Sequence, residues 1–251
     1  MKRKTFTKIA VLAGSLVIAL FFIYTLYMLH TAGLKARTYS AVYSMNDAAL
    51  PVSLFSTSHG VYNFYKTRGV HGRILVNFGR FMNFVEIEFV NIGDDDAFKD
   101  MNNFPVKRYN IMERYEKYLT NRNFLWLAMQ GDIVREINYV LPDEVFKEKM
   151  RVEVHDHDVF AITHDRIIAH EWGSKRILSN HIPDIIEPVV LNIDASFFSS
   201  TDAAHLAQEI KKSALKADIV TLNLSEDNPD VTESEREELR KFAEMLKRER
   251  E

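Results

Sequence analysis

The residues with the densest potential for metal chemistry lie in "VEVHDHDVFAITHDR", residues 152–166. Side chains alternate between the two faces of a strand, so His155 and His157 would share one face. Two imidazoles at this spacing can chelate a metal ion, with carboxylates completing the ligand set. The stretch also fits a hairpin, in which "RVEV" leads in, "HDHD" forms a polar tip and "VFAIT" leads out. Because all the polarity is local, the hairpin is favoured, and the metal pair stays the alternative.

Other candidate chemistry is sparse. The chain has no cysteine, which excludes disulfides, thiolate zinc sites, iron–sulfur clusters and a cysteine nucleophile. Ser58 precedes His59, but adjacent residues rarely reach the hydrogen-bond geometry of a nucleophile and its base. The acidic stretch 93–100, "GDDDAFKD", could gather calcium, yet its neighbouring acids alternate in direction, which favours a solvated loop.

The N-terminal region predicts a membrane anchor. Residues 9–29 carry no charge, and 21 residues at about 1.5 Å each span about the hydrocarbon core of a bilayer. The basic residues of segment 1–8 then place the N-terminus in the cytoplasm and the domain outside, in the periplasm of a bacterium. An organelle inner membrane is the alternative location. A cleaved signal peptide is a further alternative, but its apolar region is usually shorter.

The charge is unevenly divided along the chain. Up to residue 37 the sequence has six basic residues and no acid, so the remainder has 26 basic and 35 acidic residues. Nucleic-acid phosphates are bound by basic surfaces. An acidic domain of this kind is therefore not expected to bind nucleic acid.

Residues 30–49 form a connector, and residues 50–251 alternate between strand-like and helix-like stretches. The predicted strands are 51–55, 73–78, 84–92, 133–142, 188–198 and 218–225. The predicted helices are 60–69, 108–120, 123–132, 202–217 and 232–250, the last beginning with a capping box of Thr232 and Glu235. This alternation predicts an α/β domain with a mostly parallel sheet layered between helices.

Two apolar features are assigned to the interior. Trp126 and Trp172 are expected in the core or at an interface. The final helix has an apolar stripe of Leu239, Phe242, Ala243 and Leu246, expected to pack on the sheet, with docking to a partner subunit as the alternative.

Three stretches together resemble the arginase–deacetylase superfamily, nearest to an uncharacterised branch. They are "LPVSLFSTSHGVYNFYKTRGVHGRILVNFGRFMNF", "NRNFLWLAMQGDIVREINYVLPDEVF" and "PVVLNIDASFFSS". The resemblance runs from about Leu50 to the C-terminus and implies an open, mostly parallel sheet with a metal site at the carboxyl ends of central strands. In working members, divalent metals activate water to break a C–N bond.

The resemblance assigns six positions to metal ligands: His59, Gly79, Phe81, Asn83, Asp194 and Ser196. Two of them, His59 and Asp194, keep a ligand residue type. A dinuclear site must offset about four positive charges, and one carboxylate cannot do so. Phe81 would also fill the space intended for a ligand imidazole. The implied domain therefore has neither metal nor cofactor.

The expected function is that of a membrane-anchored pseudoenzyme, an enzyme-like domain without catalysis, which acts as a structural or binding subunit beside other proteins of a membrane assembly. One alternative is a divergent hydrolase of amide or amidine bonds that holds a single metal with His59, Asp194 and the pair His155 and His157.

The other alternative is a metal-free sensor of a small ligand in the former metal cleft. An open cleft lined by Asn83, Asp194 and Ser196 would favour sensing. A cleft filled by Phe81 and Met82 would instead favour a structural role.

Overall fold

The structure is a computed structural model of the chain. It describes residues 18–25, 43–44, 47, 49–83, 116–152, 159–171 and 174–248. The chain divides into two compact units, Met1–Ser40 and Ala41–Glu251. In the first unit, residues 18–25 form helix α1. No helix within the described residues has both the length and the apolar character that crossing a membrane requires.

The second unit is built on one sheet, to which the described residues contribute nine strands. These are β1 (Tyr43–Ser44), β2 (Val52–Phe55), β3 (Arg73–Phe78), β4 (Val134–Val140), β5 (Val159–Ile162), β6 (Arg166–Glu171), β7 (Ser174–Ser179), β8 (Val189–Asp194) and β9 (Lys216–Asn223). Their order is β1-β9-β8-β3-β4-β7-β6-β5, and β2 also pairs with β9. All pairings from β2 through β9, β8, β3 and β4 to β7 are parallel, whereas β1, β5 and β6 pair antiparallel.

Helices cover both faces of the sheet. They are α2 (Ser58–Thr67), α3 (Phe124–Gln130), α4 (Asp143–Val152), α5 (Ala203–Lys212) and α6 (Glu233–Arg248). Side chains of α2, α3 and α4 pack in one apolar cluster on one face, and those of α5 and α6 pack in another cluster on the opposite face. The predicted fold class, α/β with a mostly parallel sheet between helices, is confirmed at this level.

Strand β3 lies near the centre of the sheet. Its sequence, "RILVNF", is buried throughout because helices cover the sheet on both faces. Leu75 belongs to the cluster beneath α2 and α3, while Val76 and Phe78 belong to the cluster beneath α5 and α6. The alternation follows from the two-residue period of a strand.

The predicted features of the last helix are confirmed. Thr232 N donates to Glu235 Oε2 (2.6 Å) and Glu235 N donates to Thr232 Oγ1 (3.3 Å), which closes the capping box. The apolar stripe is buried, at 5 % exposure or less, in the cluster on the α5 and α6 face of the sheet: Leu239, Phe242, Ala243 and Leu246. Trp126 lies in the opposite cluster, also as predicted.

Several predicted boundaries are wrong. The helix predicted over 202–217 ends at Lys212, because Ser213 is extended and β9 begins at Lys216. The strand predicted over 188–198 stops at Asp194, where a 3₁₀ turn, Ala195–Ser199, begins. Of the helix predicted over 108–120, the described part contains only the 3₁₀ turn Glu116–Tyr118.

Helix α4 was not predicted from the sequence, and the strand predicted to pair with "VFAIT" in a hairpin was therefore wrong. Arg151 and Val152, predicted to start the strand "RVEV", are the last residues of α4. Strand β5 pairs instead with β6, which follows it after a short turn. The positions of 84–92, 93–100, His155, His157 and Trp172 fall outside the described residues, so the proposed "HDHD" tip does too.

Candidate functional site at the carboxyl end of the sheet

The strand order reverses between β3 and β8. From β3 the chain continues to β4 on one side, and from β8 it continues to β9 on the other. Open α/β sheets bind ligands at such a switch point, outside the carboxyl ends of the strands. Here β3 ends just before Gly79, and β8 ends at Asp194. A Cβ atom added at Gly79 would lie 3.4 Å from Asp194 Cβ, so the two positions adjoin, and this region between the ends of β3 and β8 is called the crevice below.

Asp194 is the central group of this crevice, and only 1 % of it is exposed. Its Oδ1 accepts a hydrogen bond from Ser196 N (2.9 Å). Its Oδ2 accepts from Asn223 Nδ2 (3.0 Å) and from Ser225 Oγ (2.5 Å). Asn223 Nδ2 also lies 3.1 Å from Ser58 Oγ at the start of α2. These five buried residues are called the Asp194 network below.

A second row of polar side chains lies two residues back along the same strands. Asn192 Nδ2 donates to Asn77 Oδ1 (2.7 Å), and Thr221 Oγ1 donates to Asn192 Oδ1 (2.8 Å). Tyr65 of α2 completes the row, with its hydroxyl 2.7 Å from Thr221 Oγ1. The register pairs Asn77 with Asn192 and Asn192 with Thr221. The sheet face beneath α2 therefore has two successive polar rows. Asp194 and Asn223 form the row at the strand ends, and Asn77, Asn192 and Thr221 form the row two residues before it.

Gly79 leaves space above this row. Asn77 Nδ2 is buried and has no hydrogen-bond partner within the described residues. It lies 3.4 Å from the place a Cβ at Gly79 would occupy. Glycine has no side chain that could accept a hydrogen bond from that donor.

Neutral donors and a second carboxyl set the electrostatics of Asp194. Burial raises the pKa of Asp194, and hydrogen bonds from Ser196 and Ser225 only partly oppose this because neither donor is charged. The nearby Asp227 carboxyl adds to the rise in the Asp194 pKa. Burial also raises the pKa of Asp227, while backbone N–H groups at Ser58 and Asp227 and the His59 side chain act in the opposite direction.

His59 lies at the rim of the crevice. Its side chain is half exposed, and its Nδ1 is 3.9 Å from Asp227 Oδ2. Ser58 is buried and hydrogen-bonded to Asn223, so the adjacent Ser58 and His59 point to different partners. The Ser–His arrangement considered from the sequence is not formed here.

The segment after β3 anchors the crevice to α6. Arg80 N donates to Ser196 Oγ (3.0 Å), and Arg80 Nη2 donates to Asp230 O (2.7 Å) and pairs with Glu235 Oε1 (3.3 Å). The Arg80 guanidinium also stacks on the Phe81 ring, 4.8 Å from its centroid. Phe81 is partly buried against the cluster of α5 and α6.

The next two residues turn toward α3. Met82 packs against the cluster on the α2 and α3 face. Asn83 has a φ of 51°, a left-handed conformation that asparagine tolerates, and its carbonyl accepts from Leu125 N (3.2 Å). Of the six positions that the resemblance assigns to metal ligands, Gly79, Asp194 and Ser196 therefore meet at the crevice. The Asn83 backbone is instead hydrogen-bonded to α3.

The residues present do not fit the metal site that the resemblance implies. Across the described ranges, no three histidine or acidic side chains lie close enough to hold a metal ion. His59 Nδ1 lies 3.9 Å from Asp227 Oδ2, but the Asp194 oxygens already accept hydrogen bonds from Ser196, Asn223 and Ser225.

The sequence reading missed Asn223, Ser225 and Asp227. All three lie in "TLNLSED", where polar residues recur every second position up to the carboxyl end of a buried strand. That recurrence places Thr221 and Asn223 on one face of β9 and was the available signal.

Comparison of the chain with protein-family models, with curated proteins and with solved structures finds no match in any of the three.

Proposed function

We propose that this chain is a membrane-anchored, non-catalytic domain of the arginase–deacetylase type, and that it serves as a structural or binding subunit of a membrane-associated assembly. One observation carries the proposal. The carboxylate best placed at the switch point, Asp194, is buried and hydrogen-bonded through both oxygens to neutral donors. The Asp194 carboxylate therefore serves to hydrogen-bond the end of β8 to the end of β9 and the residues after it.

A hydrolytic metal centre needs several ligands that converge with free lone pairs. Gly79 and Ser196, which adjoin Asp194, supply no carboxylate. The Ser196 hydroxyl already accepts from Arg80 N. The crevice therefore favours a role in holding the domain together over activating water.

The membrane part of the proposal rests on the sequence. Residues 9–29 are uncharged, and the basic residues that precede them favour an N-terminus in the cytoplasm and a domain on the other side. An anchor suits a domain whose partners are other subunits of a membrane assembly. The acidic remainder of the chain argues against nucleic acid as a partner.

The test is the metal content of the full chain, extracted in detergent and purified without chelators or metal-binding tags. We expect substoichiometric metal by elemental mass spectrometry, and no change for Asp194→Ala. Stoichiometric metal that Asp194→Ala releases, together with amide or amidine hydrolysis that chelation abolishes, would overturn the proposal.

A matched gain-of-function variant tests the family assignment separately. Gly79→Asp, Phe81→His, Asn83→Asp and Ser196→Asp together restore the four ligand types that the resemblance expects. We expect this variant, if it folds, to acquire metal that the wild-type chain lacks. A folded variant that takes up no metal would argue against the arginase–deacetylase assignment, without bearing on the wild-type measurement.

A further inference from the structure

A second site lies at the carboxyl end of the sheet, on the opposite face. It is a cleft of about 640 Å³ between α5 and the residues that follow β7. None of the residues in the Asp194 network lines it. Its volume is in the range of small-molecule sites, and its position at the carboxyl ends of several strands is where such sites occur in α/β folds. This cleft is called the α5 cleft.

The floor of the α5 cleft is apolar. Phe78 at the end of β3 and Leu206 of α5 are both buried and both line it. The Phe197 ring stands edge-on to Phe78, with centroids 5.2 Å apart. Pro142 and Ile182 extend the same surface. A ligand that fills the cleft therefore needs an apolar or aromatic body.

The rim of the α5 cleft is predominantly acidic. Its charged side chains are Asp143, Glu144, Glu209 and Lys212. Glu209 pairs with Lys212 (3.6 Å), and Glu144 pairs with Lys147 (3.0 Å). Asp143 is left as the rim carboxylate that makes no ion pair with any described residue. Lys147, which is paired with Glu144, also attracts Asp143, so three acids face two lysines and the net charge of these groups is negative.

Asp143 is also held in place. It lies in the first turn of α4, and its Oδ1 accepts a hydrogen bond from Asn180 Nδ2 (2.8 Å). Asp143 is exposed, and a hydrogen-bonded carboxylate at the rim of a cleft with an apolar floor is complementary to a cation, because an ammonium group can donate a charge-assisted hydrogen bond to it. An anionic ligand would meet unfavourable charge at the same place.

We propose that the α5 cleft binds a small organic cation, an amine carried on an apolar or aromatic body, with its ammonium group at Asp143. The apolar body lies against Phe78 and Leu206. This site does not depend on the non-catalytic role proposed for the Asp194 network, because the two lie on opposite faces of the sheet and share no residue.

The first experiment is calorimetric titration of the full chain in detergent with phenethylamine, at a pH of about 8. We expect a dissociation constant at or below about 1 mM. Hydrocinnamate, which has a similar body and the opposite charge, should bind at least about tenfold more weakly. Absence of phenethylamine binding, or equal binding of the two probes, would overturn the proposal.

The second experiment locates the binding. Asp143→Asn should weaken phenethylamine binding by about tenfold, since it removes the charge of the contact. The matched control is Glu148→Gln, an exposed acid of the same helix that does not line the cleft, and it should leave affinity unchanged. Ser200→Trp, at an exposed position of the rim, should block the cleft without removing a core contact. Unchanged affinity in Asp143→Asn and Ser200→Trp would show that phenethylamine binds elsewhere.

Discussion

Two buried aspartates lie near opposite ends of the parallel strands, and they are stabilised in different ways. Asp218, near the amino end of β9, is 0 % exposed and pairs with Arg73, which is 1 % exposed. Asp194, at the carboxyl end of β8, is 1 % exposed and is surrounded by neutral donors. A cation compensates one buried carboxylate directly, whereas the other has only hydrogen bonds.

The difference follows from position. Arg73 begins β3, and its guanidinium bonds both oxygens of Asp218 as well as Pro188 O (3.1 Å), which ties together the starts of three strands. In open α/β sheets ligands bind outside the carboxyl ends of the strands, so the amino end, where Arg73 and Asp218 pair, lies away from the usual place for a ligand. Asp194 therefore stands at the functional end of the sheet but is bonded as a structural group.

The largest predicted effect concerns the compensated aspartate. Arg73→Met leaves Asp218 buried without its cation and should destabilise the domain by about 3–5 kcal/mol in urea denaturation. The double variant Arg73→Met with Asp218→Leu should recover much of that loss, because the unpaired charge is gone. A single variant that costs less than about 1 kcal/mol would mean that the buried pair is not the main connection at this end.

The uncompensated aspartate should be less costly to remove. Asp194→Ala leaves Ser196 N and Ser225 Oγ without their Asp194 acceptor and removes one of the acceptors of Asn223 Nδ2, a loss of about 1–3 kcal/mol. The loss is partly offset because a buried carboxyl with a raised pKa is also removed. Urea denaturation of both variants under one condition tests the order, and a larger loss for Asp194→Ala than for Arg73→Met would reverse the comparison.

The pH dependence of stability sharpens the same contrast. Burial raises the pKa of Asp194 in the folded state, so the unfolded chain releases this proton first as the pH rises. The stability of the wild type relative to Asp194→Asn should therefore be highest near and below the ordinary aspartate pKa of about 4, and fall as the pH rises through the raised value. Ile193→Val, which changes no titratable group, is the control. A relative stability that increases with pH would contradict the direction given for Asp194.

The smallest predicted effect calibrates the comparison. Thr232→Ala removes the side chain of the capping box at the start of α6, and it should cost about 1 kcal/mol. Thr232→Ser keeps the hydroxyl and should retain most of the stability. If Thr232→Ala costs more than Asp194→Ala, the capping box is the stronger of these two connections near the carboxyl end.

The central strands could be predicted from the sequence because they are covered on both faces. "RILVNF" is a continuous apolar run and matches β3 residue for residue, and the apolar start of "VVLNID" likewise marks β8. Helix α4 was missed because it is mostly polar: Val145, Phe146 and Met150 are the residues that it packs into the apolar cluster, too few to mark a helical period. Pro142 before it and two acids in its first turn were the available signal.

The candidate site was only partly predictable. Gly79 follows β3 and Asp194 ends β8, and the sequence marks the apolar part of both strands, so their meeting at one end of the sheet could be expected. Ser196 was placed inside the strand predicted over 188–198, so its position in the turn after β8 could not. The donors Asn223 and Ser225 could not be paired with Asp194 in advance. That pairing depends on β9 lying beside β8, with Asp194 and Asn223 in register, and no local pattern specifies strand order.

The most direct test of the account is the protonation of Asp194 itself, followed by the ¹³C NMR signal of its carboxyl carbon in aspartate-labelled full chain. Asp194→Asn assigns the signal. We predict a titration midpoint above the ordinary aspartate value of about 3.9, unchanged by added zinc. A midpoint below that value would contradict the account, and a midpoint that zinc lowers would identify Asp194 as a metal ligand.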